Sequence, residues 1–194
     1  MLYELQRKFS DALETDDMLA ISLVVEIIRS AGHLNAHSMD GMTFLSMCVD
    51  RRQHLPFVML LEAGADPNIR SIEGNNVLHL ATHRNTLDIA ESVIEHGMVS
   101  LDQRNLWGMT PLINNCRYNQ TEMCDLLLRA GADPNIADNS GTTPLMFAAL
   151  NGGIDIVRAL IGKGADTHLK DTEGKTALDH CVEPAICIEL QKYL

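Results

Sequence analysis

Glycine returns at a single pace: Gly41, Gly74, Gly108, Gly141 and Gly174 are separated by 33, 34, 33 and 33 residues. Each opens the same kind of phrase, seen in Gly41-Met42-Thr43-Phe44-Leu45, Gly108-Met109-Thr110-Pro111-Leu112 and Gly141-Thr142-Thr143-Pro144-Leu145. A second phrase runs in step, in Gly64-Ala65-Asp66-Pro67-Asn68, Gly131-Ala132-Asp133-Pro134-Asn135 and Gly164-Ala165-Asp166-Thr167-His168, with Gly97 holding the same place. A period of this length means stacked supersecondary units in which each repeat packs on its neighbours. It turns the functional question from a pocket to a long exposed surface.

The copy from Asp138 to Lys170 shows how one unit is built. Asp138-Asn139-Ser140-Gly141 is a turn, Thr143 can cap the following helix, and Pro144 suits its first position, where a missing N–H costs nothing. Leu145, Ala148 and Ala149 mark the buried face of that helix, and Asn151-Gly152-Gly153 breaks it. A second helix runs from about Asp155 to Lys163, with Ile156, Val157, Leu160 and Ile161 inward, and Gly164 ends it. Asn85 and Asn119 stand where this copy has Gly152, and Asn is the residue that best tolerates the left-handed conformation after Gly. First helices are expected to begin near Thr43, Asn76, Thr110, Thr143 and Thr176.

Thr-Pro-Leu followed by Ala, in phase with Gly-Ala-Asp-Pro-Asn, resembles the ankyrin repeat over about residues 38–181. The resemblance implies an all-α solenoid of stacked helix-turn-helix units, with β-turn fingers set at about a right angle to the helices. The expected organisation is one solenoid over 1–194. It comprises an N-terminal helical cap (1–37), full repeats at 38–70, 71–104, 105–137 and 138–170, and a partial C-terminal capping repeat (171–194). In the cap, Leu2, Leu5, Phe9 and Leu13, then Leu19, Leu23, Ile27 and Ile28, are expected to face the stack. The finger between Gly97 and Gly108 is one residue longer than its neighbours and carries the only Trp, Trp107.

A net charge of −11 argues against nucleic acid as the main ligand, because phosphate neutralisation needs a basic footprint. No signal peptide is seen, and the most apolar stretch, Met18 to Ile28, is shorter than the roughly 18–20 residues a membrane span needs. A cytoplasmic protein is expected, with the nucleus as the other compartment. Five cysteines at irregular spacings make a poor disulfide framework. Cys48 and Cys181 align with Ala148 and Cys116 with Ala149, so all three are expected reduced and buried.

Catalytic and metal chemistry find no support in the residues. His79 and His83 are four apart, but Leu80 stands where a zinc protease would need Glu, and the ankyrin resemblance gives His79 a structural hydrogen-bonding role. Asp179-His180-Cys181 places neighbours on different sides of a helix. Gly152-Gly153 lacks the Lys-Ser or Lys-Thr of a phosphate loop. The chain is therefore expected to be no enzyme and to hold no cofactor or metal.

The resemblance implies that partners meet the finger tips and the C-terminal ends of the first helices. On this chain those sites include Met39, Asp40, Met42, Arg51, Ile72, His83, Arg84, Leu106, Trp107, Met109, Arg117 and Tyr118, with Arg70 and Arg104 just before their fingers. Trp, Tyr and Arg are enriched in binding hot spots, and Met adapts to varied partners. The function expected is a protein-binding adaptor, monomeric alone, that takes a segment with apolar anchors and acidic residues. An ankyrin-only inhibitor or chaperone masking a globular domain, and a host-directed effector, are the other protein-binding readings.

Overall fold

The computed structural model describes residues 2–39 and 41–193, so the Asp40 finger position lies outside the described residues. Helices account for the regular structure: α1 (Leu2–Thr15), α2 (Met18–Ser30), α3 (Phe44–Asp50), α4 (His54–Glu62), α5 (Val77–Arg84) and α6 (Leu87–Glu95), followed by α7 (Pro111–Tyr118), α8 (Thr121–Ala130), α9 (Pro144–Leu150), α10 (Ile154–Gly162), α11 (Ala177–His180) and α12 (Pro184–Gln191). Extended pairing among the described residues is limited to a single antiparallel bridge, His37 with Thr43. The chain parts into two compact units between Ser100 and Leu101. In the first, α1 packs on α2 and α3, α3 on α4 and α5, and α4 on α6; in the second, α7 packs on α8 and α9, α9 on α10 and α11, and α10 on α12. No helix among the described residues is long and apolar enough to cross a membrane.

The first helices begin where their caps dictate. Thr43, Asn76, Thr110 and Thr143 are extended N-caps whose side chains accept from the backbone N–H of Ser46, His79, Ile113 and Met146. Each satisfies one donor that a helix start would otherwise leave unpaired. His79 completes its box by accepting from the N–H of Asn76 through Nδ1 at 3.3 Å, which is why an imidazole can be buried here. The second helices bury Phe57, Leu60 and Leu61; Ile89, Ala90 and Val93; Met123, Cys124, Leu127 and Leu128; and Ile156, Val157 and Leu160. Between the paired helices, Asn85, Asn119 and Gly152 have φ of 52°, 54° and 76°, as their types suggest, and Arg52 takes the same left-handed place at 56°.

Short polar side chains set the fingers and loops. The residue three before each finger glycine folds the tip: Oδ1 of Asn105 accepts from Trp107 and Met109, that of Asp138 from Ser140 and Thr142, and that of Asp171 from Glu173 and Lys175. Ser71 does the same through its hydroxyl, accepting from Glu73 and Asn75. The amides of Lys175 and Glu173, with His180 between them in effect, hold the Asp171 carboxyl below its ordinary range. The Asn of the second phrase ties one loop to the next: Asn68 Oδ1 accepts from Ser100 N, and Asn135 Oδ1 from Asp166 N, at 2.8 and 2.7 Å.

Two expectations are corrected. In α2 the buried residues are Ile21, Val24, Val25 and Ile28, while Leu19, Leu23 and Ile27 face outward. The helix is apolar on both sides, and its other stripe meets α1 and α4. Second, Cys181 is neither reduced nor fully buried; it is disulfide-bonded to Cys187. Helix α11 lasts only one turn, and Cys181 already has extended backbone (φ −67°, ψ 130°). Its thiol therefore leaves the position that Ala148 holds in α9 and meets α12.

Cys48, Cys116 and Cys124 are free and buried, and burial pushes the Cys48 and Cys116 thiols well above their ordinary value. Thiolate, not thiol, is the reactive form. A maleimide added to the native protein should label almost nothing quickly. After a dithiol reductant, mass spectrometry should find fast labelling at Cys181 and Cys187 alone. Fast labelling of Cys48 or Cys116 in the native state would show that these helices do not pack as described.

Candidate functional site: the finger and first-helix face

In the first unit, two successive fingers and the first helices behind them enclose a concave cavity of about 260 Å³. Its floor and walls include Met42, Ile69, Ile72, Val77 and Leu80, and its polar lining includes Asp50, Asp66 and Glu73. Ile72 is two-thirds exposed at the finger tip, so apolar surface is offered to solvent rather than sealed in the core. Gly41 brings the walls together. It has φ +79°, and a Cβ there would come within 2.5 Å of Ser71 Cα. Met39 is fully exposed at the first finger.

Three arginines of this unit, Arg51, Arg70 and Arg84, are tied into the fold. Arg51 donates to Ser10 Oγ at 2.5 Å and lies 3.8 Å from the Glu14 carboxylate, joining α3 to α1. Arg70 turns its Nε back onto the carbonyl of Gly74 at 3.2 Å, bracing its own finger. Arg84 pairs with Asp50 at 2.8 Å, linking the ends of α5 and α3. His83 is exposed in the last turn of α5, where a cation would complement the helix dipole.

In the second unit, Leu106 and Trp107 stand out from the finger at 63% and 51% exposure, and Met109 of the same finger is half-buried. The tip is held from both sides. Trp107 N–H donates to Asn105, and the carbonyls of Leu106 and Trp107 accept from Asn139 Nδ2 and N–H at 2.9 Å. Arg104 repeats the role of Arg70, its Nε donating to the Gly108 carbonyl at 3.1 Å and its guanidinium reaching Asn139 Oδ1. Arg117 and Tyr118 are exposed at the C-terminal end of α7. The indole is thus presented by a rigid turn rather than a loose loop.

Within each unit the structure brings several of the expected residues to one feature: Met42 and Ile72 in the cavity, Leu106 and Trp107 on one tip. It also adds residues that inspection of the motifs passed over. Asp66, Ile69 and Leu80 line the cavity. For Leu80 a signal was there, because it lies three residues after Val77 and so shares its side of α5.

A family profile described as "Ankyrin repeats (3 copies)" matches residues 45–138 and 116–194. Relatives include an ankyrin repeat protein of Acanthamoeba polyphaga mimivirus, 29% identical over 150 residues, which are 77% of this chain and 20% of that protein. Neurogenic locus notch homolog protein 1 of Homo sapiens is 32% identical over 152 residues, 78% of this chain and 6% of the relative. Transient receptor potential cation channel subfamily A member 1 of Homo sapiens is 28% identical over 148 residues, 75% of this chain and 13% of the relative. The chain thus spans at most a fifth of the length of these relatives. With the repeat phase, the helix caps and the fingers all in agreement, the chain belongs to the ankyrin-repeat family.

Proposed function

We propose that this chain is a non-enzymatic protein-binding module that takes a segment of its partner on the finger and first-helix side. Ankyrin repeats in general are protein-interaction modules. The observation that carries the reading here is apolar surface held out on rigid turns: Met39, Ile72, Leu106 and Trp107 are each more than half exposed at finger tips. Isolated exposed apolar residues are ordinary, but Met39, Ile72 and Leu106 recur at one position, two before the finger glycine, and Trp107 stands beside Leu106. Trp107 is the strongest anchor, with a large ring, few rotamers to freeze and a tip already fixed by hydrogen bonds with Asn105 and Asn139.

The partner segment expected from the sequence carries acidic residues, on the strength of five arginines along this face. Four of them, Arg51, Arg70, Arg84 and Arg104, already bond within the fold. An acidic partner would have to rest chiefly on Arg117 and on what these contacts leave over, so apolar anchoring is the firmer part of the reading. Affinity capture from cell extract, followed by crosslinking, tests it. Trp107→Ala should weaken retention of the captured protein by about 2 kcal/mol, a factor of roughly 30, with little loss of stability. Glu91→Ala and Asp125→Ala, on the second helices, should bind as the wild type does. The opposite pattern would place the binding surface on the second helices instead.

A further inference from the structure

We infer that the cavity of the first unit takes a basic-apolar peptide segment, seating an aliphatic or aromatic side chain among Met42, Ile72 and Leu80 and offering Lys or Arg to Asp66 and Glu73. This rests on the protein-binding reading and narrows it to a place and a chemistry. Charge complementarity favours a basic segment here. Three carboxylates line the cavity, and its lining includes no Lys, Arg or His among the described residues. Asp50 is already neutralised by Arg84 at 2.8 Å. Among the described residues Asp66 accepts from neutral groups, the N–H and Nδ2 of Asn68 at 2.9 and 3.1 Å, and Glu73 accepts from Asn75 Nδ2 at 3.1 Å.

Those amides orient the two carboxylates without cancelling their charge. Arg70, four residues before the finger glycine, has its Nε on the Gly74 carbonyl at 3.2 Å. A cation arriving between the fingers therefore meets fixed negative charge beside apolar surface, in a recess that raises the local field. The size agrees. At about 260 Å³ the cavity falls just below the roughly 300 Å³ where pockets for drug-sized ligands begin, which suits one or two side chains of an extended chain. An acidic segment would face repulsion from Asp66 and Glu73 at the same place.

The probe is a randomised 12-residue peptide library displayed on phage, selected against the whole chain at about 50 mM salt. The enriched peptides are then synthesised and their affinities measured by fluorescence anisotropy. The expected pool carries an aliphatic or aromatic residue with Lys or Arg within three positions. Asp66→Asn and Glu73→Gln keep the acceptors that Asn68 and Asn75 use and remove only charge. Each should weaken the peptide about two- to fivefold, the scale of a partly exposed ion pair. Ile72→Asp should weaken it about tenfold or more. Raising salt should weaken wild-type binding more than that of the Asp66→Asn/Glu73→Gln double variant. An acidic pool, or peptides that bind the double variant as tightly as wild type, would overturn the inference. Peptides sensitive to Trp107→Ala but not to Ile72→Asp would overturn it while leaving the protein-binding reading in place. A library that yields no binder would count against both.

Discussion

Phe9→Ala should lower the stability of the first unit by about 3–5 kcal/mol, the usual cost of emptying a buried aromatic site. Phe9 is fully buried and meets Phe44 edge to face, with ring centroids 5.4 Å apart at 89°. Truncation removes that contact and leaves a void between α1 and α3 that backbone tied by helix hydrogen bonds cannot close. Set against a typical total of about 5–15 kcal/mol, the loss is roughly a fifth or more of what a domain has. Urea melts followed by circular dichroism should show the midpoint falling sharply. Deleting residues 1–31 should act in the same direction and more strongly than trimming the last few residues, since it also strips Leu13, Ile21, Val25 and Ile28 from the unit. An unchanged midpoint for Phe9→Ala would mean that the N-terminal hairpin does not cover the repeat beside it.

Gly41→Ala should cost about 3 kcal/mol and Gly164→Ala about 1 kcal/mol, although both glycines have positive φ. The shared part is the penalty for an L side chain in the left-handed region, about 1–2 kcal/mol. The difference is space. A Cβ at Gly41 meets backbone, with Ser71 Cα at 2.5 Å and Ile72 N at 2.9 Å, and neither can swing aside. At Gly164 (φ +88°) nothing lies within 4 Å. Two fingers pressed together at Gly41 would have to part, adding an overpacking cost of about 1–3 kcal/mol. Because those fingers wall the cavity, Gly41→Ala should also disturb it. Equal losses for the two variants would show that conformation alone, without close finger packing, explains the recurring glycine.

The repeat phase, the helix starts and the buried faces of α4, α6, α8 and α10 were legible because each depends on neighbours in sequence: a Thr or Asn cap, a Pro at the first position, an apolar stripe with one phase. Where two phases compete, the sequence is silent. In α2, Leu19, Leu23 and Ile27 form as good a stripe as Ile21, Val24, Val25 and Ile28, and only packing against α1 and α4 decides between them. Cys181 was misplaced for a related reason. Its alignment with Ala148 assumed a full helix, whereas α11 ends after one turn and Pro184 opens the next.

The candidate site was half legible. Exposure at Ile72, Leu106 and Trp107 follows from their place at finger tips. The arginines were counted as free charge because a sequence shows formal charge and not its partners. One clue was present: Arg70 and Arg104 both stand four residues before a finger glycine, and a recurring position is the mark of a structural role. The short polar residue three before each glycine (Ser38, Ser71, Asn105, Asp138 and Asp171) carried the same kind of clue. The cavity itself depends on how two fingers approach each other, which no single repeat encodes.

Hydrogen–deuterium exchange of the chain with and without its captured partner tests the central claim most directly, because it reads both sides of every repeat at once. The account predicts slowed exchange at the finger tips, around Ile72 and Trp107, and at the C-terminal turns of α3, α5 and α7. Exchange along α4, α6, α8 and α10 should be unchanged. Protection confined to those second helices, with the fingers exchanging as in the free chain, would contradict it.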